Sequence, residues 1–292
     1  MRTLCFILLL LVLHSAQAMA GLTDGRVRSI MNNSANWHPE DYVRARDQIK
    51  KIGSPAAPEL VRLLDGAKDA NTISFICEFL ALAPDYNSLQ VVQSKFSDQD
   101  WLIRSTCGQA YAQLAVTFRD RTPDINPLWD LVTRDKDVNC IVQRNVAMDI
   151  SSYDDARLAA YFKSHLFSGT VCERRTAISG LSKSAQNRKE AGDAFIKMIN
   201  DSQENNDIRE DAAWAISELA YEPAHDAVAT LLVQEVNFGN FRSFLIRALG
   251  EVGSLQDIKL LEKVISQDPY HGSGVWTHEG REAIAKIRKR GK

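Results

Sequence analysis

Apolar positions along this chain recur three and four residues apart, and they do so in blocks. In one block Ile208, Ala212, Ala215, Ile216 and Leu219 form a single stripe on an α-helix, because a turn takes 3.6 residues. The segment FRSFLIRALGEVG from Phe241 and the segment IRSTCGQAYAQLA from Ile103 repeat that pattern. The three align without gaps, and each carries an Arg in second place: Arg104, Arg209 and Arg242. The period-two alternation of a half-buried strand is absent, so strands are not expected.

Weaker copies fill the intervals. First helices are predicted to start near Asp41, Asn71, Ile103, Asn139, Thr170, Ile208, Phe241 and Trp276, roughly 30 to 38 residues apart. A drifting period fits helix-pair repeats whose loops accept insertions. A coiled coil would keep a seven-residue beat. Each copy has a second helix after a short turn. In the clearest turn Gly53 ends the first helix, Ser54 caps the next and Pro55 takes its first position. Later second helices are predicted over residues 88–96, 125–133, 154–166, 189–199, 223–236 and 255–265. A lone helix pair cannot bury its stripe. Stacked pairs bury it together, so the core runs on from repeat to repeat. Trp101, Trp129 and Trp214 are expected in that core.

The run of an apolar residue, Arg, paired Ala and a closing Gly, then a Pro-containing turn and ELVRLLD, resembles HEAT repeats of the short, armadillo-type kind. Residues 208–220 and 241–253 match best, and 103–115 and 53–65 match well. The copies near 71, 139 and 170 lack the Arg in its usual place. The resemblance covers nearly all of residues 39–292. It implies an all-α, right-handed solenoid of about seven helix pairs with second helices lining the concave face. Residues 21–38 are expected to cap the first repeat and the helix from Thr277 the last.

The first twenty residues stand outside this pattern. Arg2, an unbroken apolar run from Leu4 to Leu13, and small residues at Ala16, Ala18 and Ala20 make the three-part plan of a secretory signal peptide. A ten-residue run is too short to span a membrane, which needs about 20. Residues 1–20 are therefore read as a signal peptide, and the mature chain as exported to a periplasmic or extracellular space.

Cysteine usage agrees. Past Cys5, four cysteines remain: Cys77, Cys107, Cys140 and Cys172. An even number in an oxidising compartment points to disulfides, and four cysteines allow three connectivities. Repeat register narrows the choice. Cys77 and Cys107 fall six and four places into consecutive first helices, and Cys140 and Cys172 one and two places into the next two; such helices lie side by side and cysteines at similar heights can meet, so Cys77–Cys107 and Cys140–Cys172 are the expected bridges. The bland reading of the first pair is two buried thiols filling small positions.

Chemistry is scarce. The chain has 35 basic and 37 acidic residues, so no net field selects nucleic acid. Lys286, Arg288, Lys289, Arg290 and Lys292 gather at a helix end, where cations suit the dipole. His38, His165, His225, His271 and His278 show no metal spacing. No catalytic residue, metal or cofactor is assigned. Arg104, Arg209 and Arg242 are read as pairing with acids in turns, such as Asp100 and Asp207, or with neighbouring repeats. Helical phase gives Glu59, Arg62, Gln90, Gln93 and Lys163 as partner-contact positions, and the loop holding Tyr270, His271 and Trp276 as a second candidate. The expected function is an exported, non-enzymatic scaffold or adaptor that binds a protein or peptide. The alternatives are a specific inhibitor or immunity-type binder of a secreted enzyme, and a HEAT-like maturation factor of lyase or chaperone type.

Overall fold

Several helix starts are written into the chain by a capping side chain. Asp69 accepts from the Thr72 amide, Asp100 from Leu102, Asp155 from Arg157 and Leu158, and Asn205 from Asp207. Thr170 and Glu173 form a reciprocal capping box. These bonds satisfy amides that a helix leaves without partners in its first turn. The computed structural model describes residues 21–32, 37–135, 140–153, 155–234, 240–268 and 274–291. The proposed signal peptide lies outside them.

Among the described residues the chain is all helix and turn, with no strand. It divides into two units, residues 1–137 and 138–292. The first holds α1 (residues 21–31) and three pairs: α2 (Pro39–Ile52) with α3 (Ala57–Gly66), α4 (Ala70–Leu82) with α5 (Ser88–Gln93), and α6 (Trp101–Thr117) with α7 (Asn126–Arg134). The second holds four: α8 (Ile141–Ile150) with α9 (Ala156–His165), α10 (Val171–Leu181) with α11 (Arg188–Asn200), α12 (Asn206–Leu219) with α13 (His225–Gln234), and α14 (Asn240–Val252) with α15 (Ile258–Ser266). A last helix, α16 (Val275–Arg290), follows. Within each unit first helices stack on first helices, and most second helices pack on the first helix of the next pair. Each unit is a stretch of HEAT-like α-solenoid.

The predicted stripe is the core. Ile208, Ala212, Ala215 and Ile216 have no exposed surface, nor do Leu245, Ala248 and Leu249. Small residues let helices close up. A Cβ at Gly250 would lie 2.8 Å from the Cβ of Ala283 on α16, and a Cβ at Gly192 would overlap the ring of Tyr221. In the segment before the first repeat, Val27 and Met31 of α1 are buried.

Both expected bridges are present. Cys77 joins Cys107 with Cα atoms 5.1 Å apart, and Cys140 joins Cys172 at 5.6 Å, inside the span a disulfide needs.

Two details differ from the sequence reading, and a third refines it. Gly53 ends α2 with a left-handed φ of 69°, as expected, but Ser54 makes no capping bond. Pro55 instead opens a 3-10 turn, and α3 begins after it. Trp101 is 42% exposed because it is the first residue of α6, where the stripe has not yet turned inward. The repeat-position arginines find a turn acid or the neighbouring repeat, as expected, though not through the two acids named. Asp100 caps α6, and Asp207 pairs with Arg175. Arg104 binds Asp135, in the turn that ends its own pair after α7, at 2.7 Å. Arg209 stacks over the Phe241 ring at 4.3 Å, and Arg242 over Trp276 at 4.6 Å.

Candidate functional site

On the second-helix side of the first unit, α5 and α7 run beside an open groove of about 670 Å³. Its floor is apolar, from Phe96, Pro127 and Leu131. Phe96 is held in place by an edge-on contact with Tyr111, ring centres 5.4 Å apart. The rim is polar, with Gln93, Ser94 and Ser97 on one side and Asp124, Asn126, Asp130, Arg134 and Asp135 on the other. Local chemistry fixes this rim. Asp124 accepts from the Asn126 amide at 2.9 Å and turns the chain into α7, where Pro127 follows at the helix start. Asp130 pairs with Arg134 one turn on at 3.0 Å, and Asp135 is taken by Arg104. Asp124 and Asp130 remain exposed to solvent.

The sequence-derived contact positions divide. Gln90 and Gln93 are exposed on α5, and Gln93 lines the groove. Lys163 is pinned by Glu190 of α11 at 2.6 Å. Glu59 is buried, with Arg62 on one side at 2.6 Å and Arg28 of α1 on the other at 2.8 Å. The hydrogen bond from Arg62 is the largest influence that lowers its carboxyl pKa. Helical phase placed Glu59 outward, but α1 covers it. Tyr270 and His271 lie outside the described residues. Trp276 is buried under Arg242, which packs it rather than presents it.

The second unit carries a charge cluster on its first helices. Asp211 of α12 is buried and accepts from Arg144 of α8 at 2.6 Å and from Arg175 of α10 at 2.7 Å. Asp207, one turn earlier, takes Arg175 at 2.9 Å. Burial outweighs this carboxylate's pull on Arg144 and lowers its pKa. Burial, with Asp207 and Asp211 nearby, raises the carboxyl of Glu210. His225 stands between two acids, Nδ1 2.8 Å from Asp226 and Nε2 3.0 Å from Asp257, and both hold its pKa above the usual imidazole value. It thus ties α13 to the turn before α15. At the last helix the expected basic cluster is largely paired: Lys286 binds Glu251 at 2.6 Å, and Arg290 approaches it at 3.8 Å.

Among the described residues no group of three or more His, Cys, Asp or Glu is arranged to hold a metal ion, and no helix is long and apolar enough to cross a membrane. Sequence reading missed most of the groove. Its one visible signal was the Asp124-Ile125-Asn126-Pro127 turn; the facing of Phe96 had none.

No family model matches the chain, and no curated relative matches its sequence. Among solved structures it is similar to human deoxyhypusine hydroxylase, in a complex with glycerol, with 15% identity and a TM-score of 0.41, covering 92% of this chain and 98% of that one. It is also similar to YibA of Escherichia coli, with 17% identity and a TM-score of 0.48, covering 92% of this chain and 96% of that one. One of these neighbours is an enzyme, so a fold of this kind does not support the expectation of a non-enzymatic scaffold, and that expectation is withdrawn. The physical reason is general: stacked helices supply a rigid frame, and chemistry depends on the side chains placed on it.

Proposed function

We propose that this chain is a HEAT-like maturation factor, lyase or chaperone in type, that takes a segment of a client protein along the second-helix side of its first unit. The groove between α5 and α7 carries the reading. Its volume lies in the range of about 300 to 1,000 Å³ in which binding clefts fall. An apolar stretch of client would cover Phe96, Pro127 and Leu131, while its backbone amides and polar side chains meet Gln93, Ser94 and the exposed carboxylates of Asp124 and Asp130. Such a lining holds a segment without demanding one sequence.

The client is met outside the cytosol. Residues 1–20 serve as a signal peptide on this reading, and the two disulfides are compatible with that route. The test is a photoreactive side chain placed at Gln93, with the cross-linked client identified. That client is then purified from cells with and without this chain. The expected result is a client whose intact mass or fold changes when the chain is missing. A client unchanged in mass and in circular dichroism overturns the proposal.

A further inference from the structure

The two disulfides sit in opposite chemical settings. Cys77 and Cys107 lie well inside α4 and α6, and neither has any exposed surface. No reductant reaches them in the folded chain, and a thiolate left there would face apolar surroundings that disfavour charge. Cys140 and Cys172 lie at helix starts. Cys140 is the N-cap of α8, and Cys172 is the second residue of α10 and partly exposed. Unpaired amides and the helix dipole favour the negative charge of a departing sulfur at both places.

Two further observations single out the same bridge. The Gln143 side-chain amide lies against it, its Oε1 2.8 Å from the Cys172 sulfur. Turning that amide over would present an N–H to a thiolate. Cys140 also has a left-handed backbone, φ 58°, which strains any residue that carries a Cβ.

We propose that Cys140–Cys172 is a thiol–disulfide exchange site, opened by an external dithiol while Cys77–Cys107 stays closed. A thiolate of the dithiol attacks the Cys172 sulfur, the more exposed of the two. The S–S bond breaks, and Cys140 leaves as a thiolate. The second thiol of the reductant then attacks its own mixed-disulfide sulfur and expels Cys172 as a thiolate. The bridge gains two electrons, and the dithiol loses two as it closes to a disulfide. Leaving sulfurs of low pKa depart faster. Opening also lets Cys140 relax from its left-handed conformation, which loosens the first turn of α8. This exchange site is independent of the groove and of any client.

The test uses the whole chain with both bridges formed, treated with dithiothreitol without denaturant and quenched with iodoacetamide at intervals. Peptide mapping should show Cys140 and Cys172 alkylated at least about tenfold faster than Cys77 and Cys107. In the singly reduced protein, amide hydrogen exchange should rise over residues 141–150 and stay unchanged over α4 and α6. A Cys140→Ser/Cys172→Ser variant should give the same exchange pattern with the other bridge intact. Equal rates for the two bridges, or faster opening of Cys77–Cys107, overturns the proposal, and so does unchanged exchange over α8. If the variant fails to fold, the kinetics on the native chain still decide.

Discussion

Arg144 donates to Asp211 at 2.6 Å from a helix two repeats earlier in the chain. Arg175, on the helix between them, binds the other oxygen of the same carboxylate. One buried acid thus fastens three successive first helices.

Asp211→Ala should therefore destabilise by about 3 to 5 kcal/mol, because Arg144 loses its carboxylate partner and Arg175 keeps only Asp207. Arg144→Met should cost clearly less, since Arg175 still satisfies Asp211 and an apolar side chain suits the partly dry site. Urea unfolding followed by circular dichroism measures both. Equal losses would show that Arg144 carries as much of the cluster as Asp211.

The buried bridge should act through the unfolded chain. Cys77–Cys107 spans 30 residues, a loop whose closure is worth about 3 to 4 kcal/mol in chain entropy. Cys77→Ala/Cys107→Ala should lose stability of that order in equilibrium unfolding. A loss under about 1 kcal/mol would mean that packing already fixes the two helices in the denatured ensemble.

Close approach of helices should make small residues intolerant of growth. Ala212 and Ala248 have no exposed surface. Ala212→Phe and Ala248→Phe should each destabilise by about 1 to 3 kcal/mol through overpacking. Thermal melts report this, and unchanged midpoints in both would contradict the assigned stripe.

His225 should make stability depend on pH. Its folded pKa is raised above the ordinary imidazole value by Asp226 and Asp257, so the protonated ring stabilises the fold. That contribution is full below the unfolded pKa and is lost as pH rises through the folded one. The ring is about a third exposed, which keeps the effect under about 1 kcal/mol. His225→Gln should lower the melting midpoint near pH 5.5 and change it little near pH 9. A penalty of the same size at both values would assign His225 a packing role instead.

The repeat plan was legible because it is local. A 3.6-residue stripe and a capping residue place a helix whatever surrounds it, so the starts read near Ile103, Ile208 and Phe241 fall within two residues of α6, α12 and α14. The cysteine pairs were legible because register alone sets neighbouring first helices side by side. What sequence could not supply were contacts made from the next element over. Glu59 looked like an outward position until α1 laid Arg28 across it. Arg104 had Asp100 four residues away yet found Asp135, in the turn after α7. Most of the groove was hidden for the same reason: its floor joins Phe96 to Pro127 and Leu131, residues about 30 apart in the chain whose meeting depends on how two helix pairs stack.

The stacked arginines of the second unit bear on how such a chain can be rebuilt. Arg209 needs a ring at Phe241, and Arg242 needs one at Trp276, so each repeat carries half of a joint whose other half belongs to its successor. Shuffling or duplicating these repeats as if they were interchangeable bricks would set a guanidinium against the wrong surface. A tandem copy of residues 206–234 placed after itself would put Arg209 opposite Ile208, which has no ring to offer. The order of the repeats is therefore itself encoded, and an insertion that respects it must bring both its own Arg and an aromatic for the Arg before it.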